Sequence, residues 1–178
     1  LSTKMNLRLR NLPPFSLEHG FMYIFGADAL GRSMVARLII ASQNTMFIAG
    51  SAVLISMTLG GVLGLISGYF GGRTGNVIMR LADIIMSFPS LLLAVIVLYI
   101  FEPGLINLVL VLAFTRMPVY MRTARAEVLE IRERLFVSAA ITMGASNFRI
   151  IFKHIAPLAI PTLITIATLD FAFVMLGE

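Results

Sequence analysis

The sequence predicts an all-α integral membrane protein, a polytopic bundle of helices, and three observations support this fold class. Hydrophobic residues make up 58% of the 178 residues and charged residues only 13%, with a mean hydropathy of +0.94, whereas soluble domains carry about 25% charged residues. Apolar runs of roughly 20 residues, the length that crosses a bilayer, recur along the chain. The basic residues lie mainly between these runs, where they orient a membrane protein, so the net charge of +5 does not indicate nucleic-acid binding.

Residues 1–44 are predicted to be a polar, interfacial segment outside the membrane, and residues 45–178 a single transmembrane domain. Leu1 to Phe15 lacks the apolar core of a signal peptide or a span. Phe25 to Arg37 then reads FGADALGRSMVAR. Within it, Asp28 can cap the start of a helix and Gly31 permits a turn.

The first span is predicted from about 45 to 69. Gly60, Gly64 and Gly68 repeat at every fourth residue, which places small residues on one face and lets a second helix approach closely. We interpret this stripe as helix packing and not as a substrate site. Gly71 and Gly72 end the span.

The second span is predicted from about 79 to 101, with a kink at Pro89 that frees backbone carbonyls inside the membrane. Ionisable residues within spans are candidates for function, so Asp83 and Ser87 are candidate residues of a transport path. Arg80 lies within one turn of Asp83, and an ion pair or helix cap is an equally good reading of this carboxylate. A short turn at 102–104, without Lys or Arg, is expected outside the cell.

The third and fourth spans are predicted at about 105–120 and 158–176. Arg116, near the end of the third, is expected to extend its guanidinium towards the inner membrane surface. Beyond it, Glu130 and Arg134 are spaced for an ion pair on a charged helix. The fourth span contains Asp170, which completes the set of candidate path residues.

A cytoplasmic coupling loop is predicted at about 121–157. An amphipathic, cationic stretch, FVSAAITMGASNFRIIFKHIAPLAIP, begins in it at Phe136 and ends at Pro161. Its small residues allow a partner to approach the backbone, and its charge is typical of the cytoplasmic membrane surface. The stretch resembles the EAA coupling loop of bacterial ATP-binding-cassette importer permeases, whose pattern is Glu-Ala-Ala, three residues, Gly, and a basic-hydrophobic run that ends in Pro. Ser138 stands where that pattern has Glu, and Ala156 where it often has Leu. The resemblance implies an ATPase-coupling loop formed by Ser138, Ala139, Ala140, Gly144, Ala145, Ser146, Arg149, His154, Ile155 and Pro157.

The segment from Phe25 to Arg37 resembles a second motif, from the dipeptide, oligopeptide and nickel branch of these permeases. Gly26, Asp28, Gly31, Arg32 and Arg37 match it, whereas Ala27, Ser33 and Ala36 depart from it. The resemblance implies the type I, MetI-like permease fold, with one further helix before and one after this chain. It also implies an inner-membrane subunit that imports short peptides, or alternatively nickel or another small solute.

The same resemblance implies that the chain carries no cofactor and no ATPase site. ATP and magnesium would be bound by two partner ATPase subunits, and the other partners would be a homologous permease, an extracytoplasmic substrate-binding protein and the lipid bilayer.

Other functions find less support in the residues. The sequence has no cysteine, and His19 and His154 lack the spacing of metal ligands. No P-loop, H-E-x-x-H or G-x-S-x-G motif occurs. Asp83 and Asp170 could serve as ion sites of a channel or an ion-coupled transporter. They could also be imagined as a protease dyad, but neither lies in a Gly-x-Gly-Asp context.

Overall fold

A computed structural model describes residues 6–16, 18, 20–100 and 104–177. The chain divides into two compact units, Leu1–Phe47 and Ile48–Glu178, where the sequence analysis placed its boundary at residue 44. The predicted all-α fold class is confirmed. Three helices are long and apolar enough to cross a membrane among the described residues: Met34–Phe70, Leu105–Arg132 and Asn147–Leu176.

The first unit consists of two 3-10 turns, Leu7–Leu9 and Phe21–Tyr23, and the beginning of helix α1 (Met34–Phe70). The side chain of Ser33 caps this helix, because its hydroxyl oxygen accepts a hydrogen bond from the Ala36 N–H at 3.3 Å. Helix α1 therefore starts well before residue 45, where the first span was predicted. The polar residues before 45 are compatible with a helix that extends beyond the bilayer, so the helix is longer than the predicted span.

The second unit contains the rest of α1 and the helices that follow it. These are α2 (Gly72–Ser87), α3 (Ser90–Ile100), α4 (Leu105–Arg132), α5 (Leu135–Thr142), α6 (Asn147–Arg149) and α7 (Ala156–Gly177). A π-helical turn, Ile150–Ile155, joins α6 to α7 without interrupting the helix. The region predicted as a loop at 121–157 is thus largely helical, and α4 continues through the predicted charged helix.

Helix α4 is the centre of this unit and packs in parallel against α1. The contacts advance together along both helices: Gly60 lies against Met117, Gly64 against Met121 and Gly68 against Val128. A Cβ atom on Gly64 would lie 2.5 Å from the carbonyl oxygen of Met121, so the glycine stripe sits where the two backbones are closest.

Helices α2 and α7 run antiparallel to their neighbours. Near its end, α2 packs through Ala82 and Ile85 against Met117 and Met121 of α4. Near its start, the Gly75 carbonyl accepts a hydrogen bond from Arg125, which lies further along α4. In α7, Leu163 lies near Gly61 and Val174 packs with Ala49 and Val53. Chain direction therefore alternates from α1 to α2–α3, to α4 and to α7, as in a polytopic bundle.

The segment predicted as one kinked span at 79–101 consists of two helices, because the chain is interrupted at Phe88 and Pro89. Phe88 is extended, with φ −89° and ψ 132°, since the proline ring disfavours helical backbone in the residue before it. Both halves pack along α4. Of the turn predicted at 102–104, only Gly104 lies within the described residues.

Candidate coupling site and transport path

The end of the second unit where α1 meets α2 is fastened to α4 by arginine side chains. Arg125 donates to the Ser67 hydroxyl at 3.1 Å and to the Gly75 carbonyl at 2.9 Å, and Arg132 donates to the Tyr69 carbonyl at 2.9 Å. Ser67 is fully buried. Tyr69 lies in the last turn of α1, where carbonyls lack helical partners, so the charge-assisted bond from Arg132 satisfies one of them. These bonds fix α1, α2 and α4 to one another at this end of the bundle.

A hydrophobic core underlies the predicted coupling loop at the same end. Ile150, Ile151 and Ile155 of the π-helical turn are buried together with Val137 of α5. They pack against residues near the ends of α1 and α4: Leu65, Val128 and Ile131. Ile155, one of the predicted coupling residues, therefore belongs to this core and holds the loop against the bundle.

The spacing from Ala140 to Gly144 corresponds to a helix terminus of defined geometry. The Ala145 N–H donates to the Ala140 carbonyl at 3.1 Å, and the Gly144 N–H donates to the Ile141 carbonyl at 3.0 Å. This is the bond pair of a Schellman motif, with Gly144 in the left-handed conformation at φ +79°. Ala140 and Ala145 both pack against the core. The small residues and the glycine thus end α5 sharply and reverse the chain.

The next helix starts immediately after this turn. The Ser146 hydroxyl accepts a hydrogen bond from the Arg149 N–H at 3.4 Å, which caps α6. The Asn147 side chain accepts a hydrogen bond from the Tyr69 hydroxyl at 2.9 Å, which ties the turn back to α1. The loop is therefore attached to the bundle by both its core residues and a polar bond.

The outer side of this helix–turn–helix exposes large apolar side chains. Leu135, Met143 and Phe148 are 87%, 86% and 71% exposed. Five predicted coupling residues are exposed beside them: Ser138, Ala139, Gly144, Ser146 and Arg149. These eight residues are named the coupling surface here. Pro157 is exposed at the start of α7 and His154 is half-buried in the π-helical turn, outside this surface. Exposed apolar groups in a rigid frame are typical of an interaction site.

Of the predicted path residues, Asp83 and Ser87 lie together on α2, whereas Asp170 has its partners on α4. Asp83 forms an ion pair with Arg122 of α4 at 2.5 Å, with both side chains exposed, so its partner is not the predicted Arg80. The Ser87 hydroxyl donates to the Asp83 backbone carbonyl at 2.8 Å. Sequence spacing could not reveal Arg122, because it lies on another helix.

Asp170 is paired deep in the bundle with two residues of α4. One carboxylate oxygen lies 3.4 Å from Arg116 Nη1, and the other accepts a hydrogen bond from the Tyr120 hydroxyl at 3.2 Å. The expectation that Arg116 extends towards the inner surface is therefore wrong, because a buried carboxylate attracts its guanidinium instead. Tyr120 is fully buried and had not been singled out in the sequence.

In the first unit, the Phe25–Arg37 motif folds into a loop centred on Asp28. Its carboxylate accepts hydrogen bonds from the backbone N–H groups of Leu30 and Arg32 and from the side chains of Arg32 and Arg37, all at 2.9 Å. The backbone N–H of Arg32 contributes most to lowering the pKa of Asp28, from 3.8 to about 2. Gly26 and Gly31 adopt positive φ angles in this loop. The motif is thus a structured loop, which is also hydrogen-bonded to the preceding segment through Asn11 and Leu12.

Comparison with known proteins identifies the family. Residues 60–178 match the family described as binding-protein-dependent transport system inner membrane component. The chain is 41% identical over 165 residues to the di/tripeptide transport system permease protein DppC of Pseudomonas aeruginosa, covering 92% of this chain and 54% of that protein. It is 38% identical over 172 residues to the probable D,D-dipeptide transport system permease protein DdpC of Escherichia coli, covering 97% and 56%.

The nickel transport system permease protein NikC of Escherichia coli is 34% identical over 166 residues, covering 93% of this chain and 60% of that protein. The chain spans about half the length of the curated relatives it matches. The resemblance to the peptide and nickel branch is confirmed. The chain therefore belongs to the binding-protein-dependent transport system inner membrane component family, the membrane permeases of ATP-binding-cassette importers.

Proposed function

We propose that this chain is part of the permease subunit of an ATP-driven importer that moves short peptides across a bacterial inner membrane. The observation that carries the proposal is the coupling surface, an exposed apolar patch on a helix–turn–helix fixed to the bundle by a buried core. Dipeptide permeases among the relatives favour a peptide as the substrate.

The coupling surface suits the docking of an ATPase subunit. Leu135, Met143 and Phe148 can fill apolar grooves of a partner, where buried aromatic and aliphatic anchors contribute most of the binding energy. The small side chains of Ser138 and Ala139 let that partner approach the backbone. The chain itself performs no ATP chemistry in this proposal, because ATP and magnesium are bound by two partner ATPase subunits.

Movement at the coupling surface would reach the spans by two routes. The first route is the π-helical turn, whose buried isoleucines belong to the core and which leads directly into α7. The second route is α4, which contributes Val128 and Ile131 to the same core. Rocking of packed helices as rigid bodies is a common mode of conformational change. A homologous permease would complete the path, and an extracytoplasmic binding protein would deliver the substrate.

Uptake by reconstituted liposomes tests the proposal. The full-length permease, its partner permease, the ATPase subunits and the binding protein would be supplied with labelled di- to pentapeptides, nickel or a disaccharide. We expect ATP-dependent uptake of peptides. Uptake of nickel without peptide uptake would contradict the substrate assignment, and flux that needs no ATPase subunit would contradict the importer proposal in favour of a channel.

A further inference from the structure

The ion pair between Arg116 and Asp170 is asymmetric. The Asp170 side chain is 7% exposed and the Arg116 side chain 40% exposed. Both carboxylate oxygens have a partner, one in Arg116 and one in Tyr120. A guanidinium has five N–H donors in a planar fork, so the contact of one nitrogen with Asp170 leaves Arg116 with further donors.

Arg116 lies on a flank of α4, beside the face that packs against α1. Successive residues of an α-helix are about 100° apart around the axis. On that count, Arg116 lies roughly 140° from Met121 and 80° from Ala124, which contact the α1 glycine stripe. Thr115 and Val119 lie farther round the helix on the same flank. None of Thr115, Arg116 and Val119 is fully buried, so helix packing within the described residues leaves this side partly open.

A cavity of about 360 Å³ lies on this side, beside the break between α2 and α3. Its lining includes Met86, Phe88, Pro89, Thr115, Arg116 and Val119. The volume falls within the range of small-ligand pockets, and the walls combine apolar side chains with the polar groups of Thr115 and Arg116. The interruption of the helix at Pro89 is what opens the space opposite Arg116.

The cavity lies at the depth of the membrane interior. Arg116 is eleven residues beyond the start of α4, or about 16 Å along its axis, close to the middle of a hydrocarbon layer about 30 Å thick. An arginine at this depth is costly unless it is paired or faces a water-filled cavity, and it typically marks the route of a substrate or an ion.

We infer that Arg116 and this cavity form a carboxylate-binding site of the transport path, in which Asp170 is the resting counter-ion of the guanidinium. The planar fork of Arg116 matches a carboxylate with two parallel hydrogen bonds. Asp170 and Tyr120 hold the guanidinium in place when no substrate is present. The identity of the carboxylate as the C-terminus of a peptide rests on the proposed function.

Charge-selective labelling tests whether the guanidinium acts on ions in the cavity. Thr115→Cys in the full-length permease complex would be treated with an anionic sulfonatoethyl or a cationic trimethylammonium-ethyl methanethiosulfonate. We expect the anionic reagent to react at least fivefold faster, and Arg116→Gln in the same background to remove this preference. Arg122→Gln is the matched control, because it removes a nearby cation outside the cavity lining, and it should leave the preference unchanged.

Absence of reaction with both reagents at Thr115→Cys and at Val119→Cys would overturn the inference, as would a preference that survives Arg116→Gln. This measurement needs no transport activity. A failure of the labelling test therefore leaves the importer proposal standing, and a failure of peptide uptake leaves the labelling result standing.

Protection against the same reagent identifies the ligand. Dialanine should slow the anionic labelling of Thr115→Cys at least threefold, and dialanine amide, which lacks the carboxylate, should not. Acetate separates a site for any carboxylate from one that requires a peptide, and protection by either compound supports the inference. Equal protection by dialanine and its amide, or protection by neither dialanine nor acetate, would overturn it.

Discussion

Asp28 shows how one carboxylate can organise a loop. Four hydrogen bonds from Leu30, Arg32 and Arg37 favour its ionised form, and its pKa of about 2 lies below the ordinary value of 3.8. A group whose pKa is lowered on folding stabilises the fold fully above the ordinary pKa, and this contribution is lost as the pH falls through the lowered value. We therefore expect the loop to loosen between about pH 4 and pH 2.

The measurement is amide hydrogen exchange at Leu30 and Arg32 in the full-length protein. Asp28→Asn should accelerate exchange at both amides at pH 7, because the neutral amide side chain is a weaker acceptor. Glu18→Gln removes a charge from the same unit and should leave both amides unchanged. Equal protection in the Asp28 variant and the parent protein would contradict the role assigned to the carboxylate.

Gly64 is the glycine of α1 at which an added side chain would come closest to α4. A Cβ atom there would meet the Met121 carbonyl oxygen at 2.5 Å and the Ala124 Cβ at 2.6 Å, and backbone atoms cannot rotate out of the way. Gly64→Ala should therefore destabilise the protein by about 1–3 kcal/mol and lower its Tm in detergent. Gly50→Ala is the matched control, since its nearest contact is Phe171 Cε2 at 3.9 Å. Equal Tm values for the two variants would exclude a close approach of the helices.

At the scale of elements, substitutions in the Schellman turn between α5 and α6 can distinguish the effect of side-chain bulk on the coupling surface from the effect of backbone strain. Nothing lies within 4 Å of a Cβ atom on Gly144, so a larger side chain would project outward from the coupling surface. Gly144→Trp should abolish uptake and substrate-stimulated ATP hydrolysis in the reconstituted complex, because the indole holds the docked ATPase away. The permease itself should remain in the membrane.

Gly144→Asn is the control for this prediction, because asparagine tolerates a positive φ better than most residues and adds little bulk. We expect it to retain most of the activity. If both variants lose activity equally, the strained backbone and not the bulk is responsible. Normal substrate-stimulated ATPase activity in the tryptophan variant would exclude docking at this turn.

At the scale of the whole molecule, the alternation of chain direction makes a topological prediction. The hydrogen bonds from Arg132 to Tyr69 and from Tyr69 to Asn147 gather the α1–α2 turn and the coupling surface at one end of the second unit. Gly104 lies at the other end of α4, about 40 Å away for a helix of 28 residues. We expect the first end to face the cytoplasm and Gly104 to face outward.

Single cysteines at Ser146 and Gly104 in the full-length protein check this orientation. An impermeant maleimide applied to intact spheroplasts should label the cysteine at Gly104 and not the one at Ser146. After permeabilisation, both cysteines should be labelled. Labelling in the reverse pattern would contradict the topology. The basic residues of 1–44 would favour that reverse pattern, and Asp28, which pairs with both Arg32 and Arg37, offsets only one of their two charges.

The sequence was most informative where one short segment contains the whole pattern. The spacing of Gly60, Gly64 and Gly68 indicated a close helix contact, and the spacing from Ala140 to Gly144 indicated a compact turn. It was least informative for pairs that folding brings together, such as Arg116 with Asp170 and Asp83 with Arg122. Arg116 and Asp170 are 54 positions apart in the sequence. Local periodicity cannot predict a contact between residues so far apart.

The π-helical turn between α6 and α7 sets the angular phase of the coupling surface. Its wider turn accommodates an additional residue relative to an α-helix, and Ile151, Ile155, Ala159 and Leu163 consequently stay buried at a spacing of four. The wider turn already absorbs one extra residue, so removing one residue here and restoring the α-helical pitch would leave Ser146 to Arg149 at nearly the same angle to α7. A single-codon deletion in the α-helical part of α7 is not absorbed in this way. At about 100° per residue, it would turn the coupling surface relative to the helix beyond it, so that the side chains meant for the partner point elsewhere.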